Sequence, residues 1–140
     1  MQQRRKAREF ALQSLYALEM GQENLELSQK KILDGLSVPE NVLRYGKDLV
    51  DTVLKHCLEV DTYIQDHTEN WDFERIALLD KLLLRCSVAE MLYMADVPVT
   101  VSIAEAIQIA KKYSTEQSPR FVNGVLDSIA KKITHASTSS

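Results

Sequence analysis

At 140 residues, with 45% hydrophobic and 26% charged side chains, the chain is sized for one domain whose core stands without staples. Four glycines, three prolines and no run of alternating β-branched residues argue against a strand-rich fold and for an all-α one. The net charge of −3 argues against a bulk polyanion binder, yet Arg4, Arg5, Lys6 and Arg8 crowd the first ten residues with only Glu9 opposing them.

In chain order, the first helix is predicted from about Gln3 to Met20, burying Ala7, Phe10, Ala11, Ser14, Leu15 and Leu18, with Gly21 as its stop. A shorter helix is expected over Ser28 to Leu36. From Pro39 one long helix reads to about His67, with Val42, Gly46, Leu49, Val50, Val53, Cys57, Val60 and Ile64 on one stripe. Thr68 to Asp72 breaks it, and Asp72 can cap a short turn through Arg75 or Ile76. The segment Ala77 to Met94 is apolar around much of its circumference, so that helix is expected at the centre.

Ser102-Ile-Ala-Glu105 has the spacing of a capping box, predicting a helix start at Ser102. Ser118-Pro119 opens the last helix, expected to end near Ile133. Residues 1–133 then form one domain, and 134–140 read as a disordered tail without apolar content. The architecture expected is two small antiparallel helical bundles, about three helices each, sharing the long or the central helix.

No apolar stretch approaches the ~20 residues of a membrane span, and MQQRRKAREF lacks the apolar block of a secretory signal. Cys57 and Cys86 lie far apart with no CxxC, which reads as free thiols in a reducing cytoplasm.

Two places suggest a site. Four cations at a helix N-terminus oppose the macrodipole, at about 0.3–1 kcal/mol each when exposed, so an anionic ligand is one reading and a solvated terminus the other. Arg120 and Phe121 open the last helix, where free amides favour anions. Phe121 is then either core or a platform on which a base stacks. Asn123-Gly124, a turn pair inside a helical run, is expected to be a packing notch where a neighbouring helix approaches Gly124, with Asn123 beside it. His56, His67 and His135 have no metal-ligand spacing, and no phosphate loop or nucleophile elbow occurs. A non-enzymatic chain without metal or cofactor is expected.

RRKAREFALQSLYA, LLLRCSVAEMLYMADVPVTVSIAEAIQIAKKYS and FVNGVLD, in that order and spacing, resemble the NusB family of bacterial transcription antitermination factors over nearly the whole chain. The resemblance implies two three-helix bundles. It implies an RNA-binding adaptor that, with the ribosomal protein NusE, recognises the short single-stranded boxA element in ribosomal RNA operon leaders and helps RNA polymerase resist premature termination. By motif, the RNA contacts fall on Arg4, Arg5, Lys6 and Arg8, on Phe121 as stacking platform, and on Gln117, Arg120 and Asn123 around it. The face toward NusE falls on Tyr16, Met20 and Asp80. The chain departs from the family in reading Ala104-Glu105-Ala106 for Asn-Glu-Ala, and in carrying Lys6 where an arginine is frequent, which keeps charge but loses a bidentate fork.

Two other classes compete. A NusB-like helical domain also serves RNA methyltransferases, but the chain's end about seven residues past its last expected helix leaves no catalytic domain. A protein-only scaffold predicts no salt-dependent RNA binding.

Overall fold

The computed structural model describes residues 2–21, 24–68, 73–94 and 96–139, with side chains between 4 and 134. Among them every regular element is helical: α1 Gln2–Glu19, α2 Leu25–Gly35, α3 Glu40–Lys55, α4 Cys57–Asp66, a 3₁₀ turn Phe73–Arg75, α5 Leu78–Tyr93, α6 Val99–Tyr113 and α7 Ser118–Ser139. The expected all-α class holds. Helices α1, α2 and α3 pack as one bundle; α5, α6 and α7 form a second, with α4 laid against α5 and α7. The shared element is α5, which touches α1, α3, α4, α6 and α7 and buries ten residues from Asp80 to Met91.

Helix ends follow local chemistry, though not always at the predicted residue. Gly21, at φ 87°, ends α1 where only glycine is at ease. Helix α2 begins three residues earlier than expected because the Asn24 side chain accepts the Leu27 amide at 3.0 Å. The Asp72 cap lies outside the described residues. The backbone of α7 runs helically to Ser139, past the expected stop at Ile133, since no glycine or proline follows Gly124.

The long helix expected from Pro39 to His67 is two helices. His56, at φ −111° and ψ 23°, bends the chain between α3 and α4, and its ring stacks on Tyr93 with centroids 3.8 Å apart. The bend lets Val50 and Val53 face α1 and α5 while Val60 and Ile64 turn onto α5 and α7. No proline or glycine marks it, so the apolar stripe reads straight through.

The packing notch is also elsewhere. A Cβ on Gly124 would meet nothing within 4 Å, and both Asn123 and Gly124 are exposed. The close approach occurs at Gly46, where a Cβ would stand 2.9 Å from Phe10 Cδ1 and 3.0 Å from the Ala7 carbonyl. Gly46→Ala is therefore expected to cost about 1–3 kcal/mol through overpacking. Gly124→Ala should stabilise α7 by up to ~1 kcal/mol. Thermal melts of both variants check this; a more damaging change at Gly124 would contradict the packing described.

Both cysteines are free. Burial pushes the Cys86 thiol up to about 12, so it stays protonated and inert at neutral pH.

Candidate nucleic-acid interface

The basic head does not form one exposed cationic stripe. Helical spacing turns Arg8 inward with Ala7 and Ala11, into the angle between α1, α5 and α6, where it is 6% exposed. Its Nε reaches Glu90 Oε2 at 2.9 Å and Oε1 at 3.2 Å, and Nη1 lies 3.5 Å from Glu105 Oε1. The Ser102 hydroxyl donates to Glu90 Oε1 at 2.6 Å, and the Tyr45 hydroxyl donates to Glu90 Oε2. Arg5 grips Glu105 through Nε at 3.0 Å and Nη2 at 2.6 Å, a bond that raises its own pKa. Two arginines and two glutamates thus neutralise one another, as buried charges must.

This cluster corrects two expectations. Arg8 is a structural ion-pair partner with only 6% of its side chain exposed, its guanidinium turned to Glu90 and Glu105. Ser102 and Glu105 form no capping box, because α6 starts at Val99 after Pro98, leaving Ser102 at the end of its first turn and Glu105 in its second. Their three-residue spacing puts them on one face, and that face meets Arg8 and Arg5.

Burial first, then the bond to Glu90, holds the Tyr45 proton well above the usual phenol range. Unfolded Tyr45 ionises near ~10, while the folded residue keeps its proton. Its stabilisation is therefore full below pH 10 and is lost as pH climbs past that value. Denaturant midpoints taken from pH 9 to 11.5 should fall less steeply for Tyr45→Phe than for the wild type; parallel curves would remove Tyr45 from the effect.

Arg4 and Lys6 are the outward part of the head. Arg4 lies 4.4 Å over the Tyr45 ring and 3.2 Å from Asp96 Oδ2, with 41% of its side chain exposed, and Lys6 is exposed. Along the seam between α1 and α6, buried Glu9 takes Lys112 Nζ at 2.6 Å and the Tyr113 hydroxyl at 2.9 Å. Gln13 donates to Tyr113 at 3.0 Å. Sequence reasoning missed Lys112, whose side chain is 61% exposed; the pairing with Glu9 spans 103 residues and leaves no local signal.

Gln117, Arg120 and Phe121 gather at the start of α7. Gln117 and Arg120 are exposed; Phe121 is half-buried, one side against the core and another on a groove of about 220 Å³. Gln117, Ser118, Thr115, Arg75 and Asp80 also line that groove. Asp80, expected on the partner-facing surface, is 7% exposed and forms part of its floor. Its carboxylate accepts from Ser114 Oγ at 2.6 Å and Ser118 Oγ at 3.0 Å, pinning the α6–α7 junction. Tyr16 and Met20 are exposed.

The structure does not set Phe121 against the basic head. Arg5 meets α6 at Glu105, whereas Asp80 and the groove meet it at Ser114. Nine helical residues separate those levels, roughly 14 Å. The Lys112–Glu9 seam lies between them. Arg4, Lys6, Lys112 and Arg120 therefore mark a discontinuous track, ending beside an aromatic face. A larger concavity along α3, about 1020 Å³ and lined by Glu40, Arg44, Lys47, Asp48 and Asp51, carries charges of both signs and none of the candidate residues.

The NusB family model matches residues 5–131. The chain belongs to the NusB family. It is similar to the transcription antitermination protein NusB of Chloroherpeton thalassium, 45% identical over 130 residues, which are 89% of this chain but 59% of that relative's length. The NusB of Thermodesulfovibrio yellowstonii is 37% identical over 139 residues, 92% of each chain. Among solved structures, antitermination factors NusB and NusE in complex with double-stranded RNA include a chain that matches with a TM-score of 0.83 at 29% identity, covering 94% of this chain and 98% of that one. The family assignment agrees with the all-helical fold. Among the described residues, no helix is long and apolar enough to cross a membrane.

Proposed function

We propose that the protein is a cytoplasmic transcription antitermination factor that binds boxA-type RNA together with NusE and suppresses premature termination by RNA polymerase in ribosomal RNA operons. One observation carries this reading: within a NusB-family chain, Phe121 and Gln117 line one groove with exposed Arg120 next to Phe121 in the first turn of α7, and separate exposed cations recur at Lys112, Lys6 and Arg4. In this role Arg4, Lys6, Lys112 and Arg120 hold phosphates, an unstacked base lies on Phe121, and Gln117 and Asn123 offer polar contacts. Arg5 and Arg8 fix the helix that carries the head. Tyr16 and Met20 face NusE. The reading assigns the chain no catalytic step and needs no cofactor.

Relatives named NusB, and a similar chain solved in a complex of NusB and NusE with double-stranded RNA, support the reading. The test is transcription in vitro from a template with a boxA leader and a downstream terminator, using RNA polymerase and the remaining Nus factors. Adding this protein with NusE should raise readthrough, and mutating boxA should abolish the gain. Readthrough unchanged by the protein on the intact leader would contradict the function.

A further inference from the structure

The buried ion-pair cluster reaches the surface through Tyr45. Arg4 and Arg8 stand four residues apart on α1 and so share one face, with Ala7 beside them packed against Gly46 of α3. That close approach brings the neighbour of Gly46, Tyr45, up to both arginines. Its ring centroid lies 4.4 Å from the Arg4 guanidinium carbon and 5.8 Å from that of Arg8. The ring is half-buried and tethered at its hydroxyl, which donates to Glu90, itself held by Arg8 and Ser102.

The three arginines of the head differ in what they face. Arg5 and Arg8 are closed on Glu105 and Glu90, whose side chains are 6% and 2% exposed. Arg4 instead reaches Asp96, 66% exposed, through Nη2 at 3.2 Å. A carboxylate so open to water holds an arginine weakly. A guanidinium lying over a tyrosine spends a face there and keeps its N–H edge for an oxyanion. An arginine without such a seat would lose its rotamer freedom on meeting a phosphate, and Tyr45 removes part of that freedom before RNA arrives.

Resting on the RNA binding proposed above, we propose that Tyr45 is a positioning residue for the RNA interface: it seats Arg4 so that the guanidinium exchanges Asp96 for an RNA phosphate without leaving the ring. Asp96 occupies the guanidinium edge in the free protein and competes with the phosphate. The buried cluster then serves binding as well as stability, because it fixes the ring on which Arg4 rests.

The test is fluorescence anisotropy of a labelled boxA-type RNA with NusE present, at a temperature where circular dichroism shows each variant folded. Tyr45→Leu should weaken binding about three- to tenfold, the worth of one pre-ordered side chain. Tyr45→Phe keeps the ring and should bind within about twofold of wild type. In an Arg4→Ala background, Tyr45→Leu should change affinity by less than about twofold, because no guanidinium is left to seat. Asp96→Asn should tighten binding about two- to fivefold, and Arg4→Ala should abolish that gain.

A loss from Tyr45→Leu that is equal with and without Arg4 would make the ring purely structural and overturn the inference, as would wild-type affinity in Tyr45→Leu. Should Tyr45→Leu not fold, NMR of the wild-type chain decides, with the Arg4 Nε–H resonance assigned by its loss in Arg4→Lys. That resonance should be ring-shifted in the free protein and stay so when RNA is added; a position typical of a solvated arginine in either state would overturn the seat. Wild-type protein that binds boxA-type RNA no better than a scrambled sequence would fail the RNA reading itself, and this inference with it.

Discussion

Replacing Arg8 by methionine is expected to destabilise the protein by about 3–5 kcal/mol, a large share of the roughly 5–15 kcal/mol that holds a domain of this kind together. The cause is what the substitution leaves behind. Glu90, 1% exposed, keeps Ser102 and Tyr45 as neutral donors but loses its cation, and Glu105 keeps only Arg5. Arg4→Ala and Lys6→Ala remove exposed charges and should leave stability within about 0.5 kcal/mol. Urea titrations of the three variants separate these outcomes. If Arg8→Met unfolds with the wild type and weakens RNA binding instead, the buried cluster is misassigned and Arg8 belongs to the interface. The same contrast governs salt dependence. Removing Arg4 and Lys6 should flatten the fall of RNA affinity with salt, whereas replacing Arg5 and Arg8 together would mix unfolding with binding.

The second large effect is expected at Phe121. Loss of the ring should weaken RNA binding by about 1–3 kcal/mol, roughly 5- to 150-fold. Phe121→Ala also removes a side chain half-packed against the core, so stability falls with it. Phe121→Leu keeps most of the apolar volume and should hold stability within about 1.5 kcal/mol while still losing the stacking face. An Ala variant that melts early beside a Leu variant that binds RNA as wild type would make Phe121 core alone.

The helices were legible because apolar spacing records burial on one face. The stripes of α1, α5 and α7 and the central place of α5 follow from it. What sequence could not supply were partners distant along the chain. Ser102 and Glu105 sit at capping-box spacing, and the same spacing serves a tertiary face; their partners, Arg5, Arg8 and Glu90, lie twelve to a hundred residues away. A local rule had no means of choosing between them. Gly124 drew attention through the turn pair it belongs to, while Gly46, inside an ordinary stripe, is the glycine that another helix requires. Arg8 read as part of a charge run, although its position beside Ala7 and Ala11 already placed it on the buried side. The bend at His56 carries no breaker and is set by where α5 and α7 lie. The candidate site was legible residue by residue but not as geometry: Phe121 and the head are named by motif, and their separation along α6 appears only in the fold.

The most direct measurement is fluorescence anisotropy of a labelled boxA RNA against the protein, with and without NusE, at two salt concentrations, beside a scrambled RNA of equal length. Tighter binding to boxA, strengthened by NusE and weakened by salt, is the predicted result. Equal, weak binding to both RNAs, untouched by NusE, would contradict it and leave a helical scaffold whose exposed cations serve something else.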